Sequence, residues 1–375
     1  MTIITVSSKN IGNALAMLEK VTDSKNVLSI LNDCIFEVKD GKLHLKAANI
    51  ENLMEMDVEV IEAQGEDTFG VNIRTIGRAI ANLPECPVRI KHDGEEKIVT
   101  VTFATGEFSL PVDDVKDFPV MPELNEDNKN TFTINDTTLR AVITRTLPST
   151  AQDELRPVMN GIYFNMTEES LDVVASDGHR LVRDRLLSIS SETPASFILP
   201  KKPAAVIKSM PTNESDVTVT FDERSVVFET EVYRLQARLV EGRYPNYNSV
   251  IPLNYPSHVS VNRAELLTVV KRLQPFCNQS SFLMRVDIAP EKLTLTAEDW
   301  DFSKKATESL PCSFDGKQMS IGLKCSVLVE LLQTLNAEQM VINLADATRA
   351  ALLQPMEQPT DENILLLQMP MLIND

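Results

Sequence analysis

The chain has almost nothing from which a catalytic or metal centre is usually assembled. Its 375 residues include four histidines, at 44, 92, 179 and 258, so a histidine-based metal cluster has little to draw on. Five cysteines stand at 34, 86, 277, 312 and 325, with no close pair at metal-ligand spacing. That odd, scattered set implies free thiols in a reducing cytoplasm. A glycine-rich phosphate loop, a nucleophile elbow and a zinc-binding helix motif are all missing. No apolar run reaches the roughly 18 residues of a membrane helix. The opening residues, Met1-Thr2-Ile3-Ile4-Thr5-Val6, lack the basic-then-apolar pattern of a signal peptide and read as a strand. Positive charge is scarce too: 36 Lys and Arg face 54 Asp and Glu, for a net charge of −18. Taken whole, that balance argues against a nucleic-acid binder. It says nothing, however, about where the cations sit.

What the chain does have is repetition, with 43% apolar residues to build cores from. Gly41-Lys42-Leu43-His44-Leu45-Lys46-Ala47-Ala48-Asn49 returns as Glu169-Ser170-Leu171-Asp172-Val173-Val174-Ala175-Ser176-Asp177. It returns again as Glu291-Lys292-Leu293-Thr294-Leu295-Thr296-Ala297-Glu298-Asp299. Each copy is a polar pair, an alternating strand, an Ala and a polar turn. Leu43 and Leu171 are 128 positions apart, and Leu171 and Leu293 are 122. That period is domain-sized, well above the roughly 20–50 residues of a solenoid unit.

Helical spacing of apolar residues predicts a helix before each copy, at 11–21, 137–147 and 263–273, and one after it, at 73–83, 203–210 and 326–335. Alternating β-branched runs follow, such as 97–103 and 216–221. Two helices and several antiparallel strands per copy make each an α+β domain. Proline-punctuated polar stretches at 118–130 and 244–257 read as joints. The expected domains are therefore 1–124, 131–250 and 257–375.

The cations follow the helices. Lys20, Arg74, Arg78, Arg140, Arg145, Lys201, Lys202, Lys208, Lys271, Arg272 and Lys324 all lie on or beside the six, while acids gather at 51–62, 113–127, 168–172 and 357–362. Two readings stay open: solvent faces of ordinary amphipathic helices, or a common basic surface made by all six. At Ser176-Asp177-Gly178-His179-Arg180-Leu181, His179 oriented by Asp177 could serve as a general base. Against that, Asp-Gly is a hairpin signal, the segment occupies the turn position of Asn49-Ile50-Glu51 and Asp299-Trp300-Asp301, and no nucleophile or metal accompanies it.

Four motifs, in order along this triplicated chain, carry a resemblance. They are Arg156-Pro157-Val158-Met159-Asn160-Gly161, Ser176 through Leu181, Glu241-Gly242-Arg243-Tyr244-Pro245-Asn246-Tyr247, and Met369-Pro370-Met371-Leu372. Together they resemble the bacterial sliding clamps, the β subunits of replicative DNA polymerase. The resemblance implies three clamp domains per chain and a head-to-tail homodimer closed into a six-domain ring. Helices would line the hole, and sheets would form the outside. Such a ring encircles duplex DNA without reading sequence and tethers the polymerase for processive synthesis. It needs no cofactor, metal or catalytic residue, because ATP hydrolysis belongs to the clamp loader.

The resemblance also implies site residues. A partner-peptide pocket would comprise Met159, Ser176, Gly178, His179, Arg180, Leu181, Pro245, Val250, Met369, Pro370, Met371 and Leu372. Its clients would be polymerases, the clamp loader and repair proteins, each docking a short linear motif; flexible methionines suit such sharing. Ser249 and Ala350 stand where some members of that family place other polar or basic residues, and Ile373-Asn374-Asp375 extends past the Leu where many of them stop. The alternative for the terminal Met-Pro-Met-Leu is the end of a core strand. Phe108 and Leu110 would meet Phe276 and Cys277 across the dimer contact, the alternative being ordinary core packing. DNA-facing candidates are Lys20, Lys25, Arg74, Arg78, Arg140, Arg145, Gln152, Arg156, Lys201, Lys202 and Lys271. Two rival classes remain: an enzyme built on His179, and a repeat scaffold that binds only proteins.

Overall fold

The computed structural model describes residues 1–153 and 155–373. The first repeat contains β1 (Thr2–Ser7), α1 (Ser8–Leu18), β2 (Asp33–Lys39), β3 (Lys42–Ala48), β4 (Asn52–Val58), β5 (Val60–Gln64) and β6 (Asp67–Asn72). It ends with α2 (Ile73–Ala81), β7 (Pro87–Asp93), β8 (Ile98–Phe103) and β9 (Gly106–Pro111). The second contains β10 (Asn130–Asn135), α3 (Asp136–Thr146), β11 (Gly161–Met166), β12 (Leu171–Ser176), β13 (Arg180–Leu186) and β14 (Ala195–Pro200). After them come α4 (Lys201–Lys208), β15 (Asp216–Phe221), β16 (Ser225–Glu229) and β17 (Tyr233–Arg238). The third contains β18 (Ser257–Asn262), α5 (Arg263–Leu273), β19 (Leu283–Ala289), β20 (Lys292–Asp299), β21 (Lys304–Pro311) and β22 (Ser313–Asp315). It closes with β23 (Met319–Lys324), α6 (Cys325–Thr334), β24 (Gln339–Leu344), β25 (Ala351–Pro355) and β26 (Glu362–Gln368).

All six expected helices are present. Several start directly from a strand, where an asparagine side chain caps the turn: Asn72 accepts from the Thr75 amide (3.1 Å), and Asn262 from that of Glu265 (3.0 Å). Helix α1 begins at Ser8, earlier than apolar spacing placed it, so Lys20 lies beyond its end.

The packing units differ from the sequence period. One compact unit holds Met1–Arg140 with Lys202–Leu239; the other holds Ala141–Lys201 with Val240–Asp375. The reason is strand pairing. In the first unit, β17 pairs antiparallel with β4, which merges two half-sheets into the order β10-β15-β16-β17-β4-β3-β2-β6. In the second, β13 pairs with β26, giving β14-β11-β12-β13-β26-β25-β24-β18-β22. A five-stranded sheet, β5-β1-β7-β8-β9, completes the first unit, and a four-stranded one, β21-β20-β19-β23, completes the second.

Where sheets merge, the core runs through. Leu235 stands opposite Met54, and Val182 opposite Leu366, and all four are fully buried. Truncating Leu235, Met54 or Leu366 to Ala costs roughly 2–5 kcal/mol. Helices α1 and α2 cover the first unit's core with Ile11, Leu15, Leu18, Ile76 and Ile80. Helices α5 and α6 do the same in the second, where Leu266, Val270, Leu328 and Leu332 join one cluster.

Candidate functional site

The second unit carries the residues expected of the partner-peptide pocket. The β12–β13 hairpin turns through Gly178 and His179. Gly178 has φ +88°, as the first central position of such a tight turn requires. Asp177 lies beside the turn rather than in it. Its Oδ1 accepts the amides of His179 and Arg180 (both 2.9 Å), and its Oδ2 accepts the Arg180 Nε (3.1 Å). The Asp177 carboxylate is thus spent on the turn and on Arg180, whose guanidinium also reaches Glu330 and the Pro148 carbonyl. Among the described residues, no side-chain hydrogen bond orients the His179 ring as a general base would need. Ser176 donates its hydroxyl to the Arg180 carbonyl (2.8 Å) and accepts the Gly178 amide (3.2 Å). Among the described residues there is no group of three His, Cys, Asp or Glu able to hold a metal.

The Met369 amide donates to the His179 carbonyl (2.8 Å), which ties the terminal Met-Pro-Met-Leu to this turn. Strand β26 ends at Gln368, so that segment is not the end of a core strand. It is pinned by a bridge in which the Met371 amide donates to the Gly322 carbonyl (2.8 Å). Any side chain at Gly322 would meet the Met371 oxygen at 2.5 Å, so only glycine admits this approach. Leu372 is 88% exposed, Met369 40% and Val250, on the short turn 247–250, 50%. Exposed Pro245 lies just before that short turn, while Met159 and Leu181 are buried.

Leu181 belongs to an apolar floor that sequence reading only grazed. Leu181, Tyr244, Tyr247, Ile198, Leu352 and Leu367 form one apolar cluster. Tyr163 stacks on Tyr244 with ring centroids 4.7 Å apart. The Tyr247 hydroxyl donates to Asp172 (2.8 Å), which Arg185 also holds; burial first, then the Asp172 charge, pushes that hydroxyl up to about 12. Tyr244 and Tyr247 stood inside a quoted motif, yet nothing local to Tyr163, 81 positions upstream, marks it as their partner. Ala350 is a buried member of the floor, and the Ser249 hydroxyl donates back to the Asn246 carbonyl (2.7 Å). Of the extension, Asn374 and Asp375 lie outside the described residues.

The expected DNA-facing cations divide by what they touch. Lys20, Lys25, Arg78, Arg140, Gln152 and Lys271 are exposed. Arg74 instead donates to the Asp23 and Ser24 carbonyls (2.7 and 3.3 Å), and Lys202 to the Thr22 carbonyl and the Asp23 carboxylate; together they hold the loop that presents Lys25. Lys201 likewise donates to the Ala151 carbonyl beside Gln152, and burial lowers its ammonium from the usual value. Arg156 pairs with Asp153 (2.9 Å) and leans over Gly178, at the groove's turn.

Arg145 is a correction. It is buried against Asp184 and Glu362, in an ion-pair cluster inside the second unit, and has no surface to offer DNA. Cys277, expected at a dimer contact, is buried as well, with its thiol turned to the Leu273 carbonyl; its neighbour Phe276 is 38% exposed. Phe108 and Leu110 share one half-buried face of β9, at the end of its sheet. A separate cleft of about 480 Å³ in the first unit is lined largely by charges that satisfy one another, such as Lys46 with Glu37 (2.7 Å) and Arg234 with Glu55 (3.1 Å).

Comparison with known proteins gives one answer along the whole chain. Residues 2–122 match the N-terminal domain of the DNA polymerase III beta subunit, 133–246 its central domain and 248–372 its C-terminal domain. The beta sliding clamp of Escherichia coli K12 is 24% identical over 98% of this chain and 99% of its own length. That of Chlamydia trachomatis is 23% identical over 99% of this chain and 87% of its own. In fold, the chain is similar to the sliding clamp of Pseudomonas aeruginosa solved with griselimycin bound. The TM-score there is 0.93 at 23% identity, covering 99% of this chain and all of that one.

Proposed function

The chain belongs to the DNA polymerase III beta subunit family, and from that premise we propose that two copies close head to tail into a ring around duplex DNA. The protein is a DNA sliding clamp, a processivity factor for DNA polymerase without catalytic activity of its own. We take its clamp domains as residues 1–124, 131–250 and 257–375, and its place of work as the cytoplasm.

The observation that carries the ring is a pair of open sheet edges. Each joint between successive repeats pairs the strand after the repeated motif, β4 or β13, with the last strand of the next repeat's other half-sheet, β17 or β26. The third strand of the first kind is β21 and the third of the second kind is β9, and both end their sheets. Unpaired edges are usually capped or used. Strand β21 of one copy pairing with β9 of another repeats the joint, and two such contacts close six domains.

The internal joints supply the register. Arg238 and Met369 donate to the Glu51 and His179 carbonyls; their counterparts here are Pro111 and Ser303. Counting along, Ser109 falls opposite Lys305, Glu107 opposite Thr307 and Phe108 opposite Ala306. Phe108 and Ala306 then hold the places of Leu235 and Met54, and of Leu366 and Val182, with the large ring facing the small side chain. A second sign agrees. Arg272 pairs with Glu308 (3.1 Å) where the second repeat has Arg145 with Asp184, but the third-repeat pair is half-exposed, as if short of its cover.

With −18 overall, the chain would hold DNA by linkage more than by affinity. Exposed Lys20, Lys25, Arg78, Arg140 and Lys271 would touch phosphates without reading bases. The groove around Leu181, Val250, Met369 and Leu372 suits short peptides with apolar anchors from polymerases, loader and repair proteins. Tethering then raises effective concentration at the template. The test is mass by light scattering at low micromolar protein, followed by retention after loading on circular and on linear DNA. A dimer that stays on circles and slides off linear ends is expected. A monomer, or equal retention on both, overturns the proposal.

A further inference from the structure

The three turns that lead into β4, β13 and β21 should be alike, and the third is not. Asn49 and Asn52 close a turn of two residues, as do Asp177 and Arg180. Asp299 and Lys304 enclose four: Trp300, Asp301, Phe302 and Ser303. The longer turn brings two aromatics into the open, Trp300 at 82% and Phe302 at 67% exposure. It is held in place rather than loose. The Asn278 amide donates to both Asp299 and Asp301 (3.3 Å each), which ties the turn to the segment just after exposed Phe276, and the Lys304 ammonium lies 5.2 Å from the Phe302 ring. Phe276, Trp300 and Phe302 thus flank the start of the open edge of β21.

At both internal joints the next repeat's strand donates a last amide to this turn, from Arg238 to Glu51 and from Met369 to His179. At the joint between copies the donor position is Pro111, which has no N–H. That joint alone lacks its last rung, and it alone has the aromatic turn. We propose that Trp300 and Phe302 form an apolar clasp over Pro111 of the partner subunit, replacing the missing hydrogen bond where the ring must open and close. The occupant is a second copy of this chain, because the turn continues the edge that such a copy would extend. The inference rests on the head-to-tail reading above.

Trp300 is the single tryptophan, so its fluorescence reports this turn alone. Sedimentation, Trp emission and acrylamide quenching are measured together on the full chain across one dilution series. Association is expected to shift emission to the blue and cut quenching about threefold. Trp300→Ala and Phe302→Ala should each weaken dimerisation about tenfold or more, with circular dichroism unchanged. In a Pro111→Ala background, Trp300→Ala should cost clearly less than in the wild type, as direct contact requires. A dimer whose quenching does not differ from the monomer's, or whose alanine variants associate like wild type, overturns the clasp and leaves the ring standing. A chain monomeric at every concentration overturns the ring reading, and the clasp with it.

Discussion

At the scale of single residues, two buried carboxylates make the protein's stability depend on pH. Asp33 is 3% exposed, and among the described residues its Oδ2 meets no hydrogen-bond donor. Burial, then the neighbouring Asp113 carboxyl, pushes it from 3.8 up to about 7. The native fold therefore favours the protonated acid. That advantage is complete below about pH 4 and is lost as pH rises through about 7. Asp33→Asn imitates the neutral form, so it should raise Tm by about 3 °C at pH 8 and by almost nothing at pH 4.5. A variant no more stable than wild type at pH 8 would refute the assignment.

Asp184 behaves similarly. Burial raises it to about 6 although Arg145 pulls it down. Arg145→Ala should cost roughly 3–5 kcal/mol at pH 8, where Asp184 is left charged and buried, and clearly less at pH 5; denaturant titrations at both values decide it. Arg145 also shows what sequence could not reveal. Helical spacing tells which face a cation takes, but its partners lie 39 and 217 positions away. Lys201, Lys202 and Arg74 were legible as basic residues near helices, and illegible as ties to the carbonyls of the loops presenting Gln152 and Lys25.

At the scale of elements, the repeats were readable because period and burial agree. Helix α5 falls where apolar spacing put it, and alternation marked 97–103 and 216–221 as strands. Asp-Gly signalled the hairpin, though its turn is Gly178-His179, one residue later than an Asp-Gly centre, because the Asp177 carboxylate caps the amides instead. The terminal segment was harder: Met-Pro-Met-Leu is apolar enough for a strand, and what keeps it out of one is proline together with the bridge from Met371 to Gly322. Gly322→Ala tests that bridge. The new Cβ must displace the Met371 carbonyl, so a fluorescent peptide with apolar anchors should bind about tenfold or more weakly while the fold survives. Unchanged peptide affinity would mean that the segment does not shape the groove.

At the scale of the whole molecule, three copies and their connecting stretches were visible in the sequence but the strand pairings between copies were not, because a repeat shows what recurs and not which edges stay open. Topology adds that two such pairings are made within the chain, at β4–β17 and β13–β26, while β9 and β21 each end a sheet. The register argued from the internal joints makes this sharp. Residues opposite one another at a hydrogen-bonded antiparallel position have Cα atoms about 5.5 Å apart, inside the roughly 4.4–6.8 Å a disulfide spans. Ser109→Cys with Lys305→Cys should therefore cross-link two copies under mild oxidation, at both contacts of the ring. Ser109→Cys with Lys304→Cys should not, because one step moves the thiol to the other face of the sheet. Each single variant corrects for the chain's own five thiols. A doubly linked ring should also stay on circular DNA through denaturant and fall free once the circle is cut. Cross-linking by the shifted pair would displace the register. A stable dimer cross-linked by neither pair would mean that the copies meet elsewhere, and that the open edges of β9 and β21 serve something other than closure.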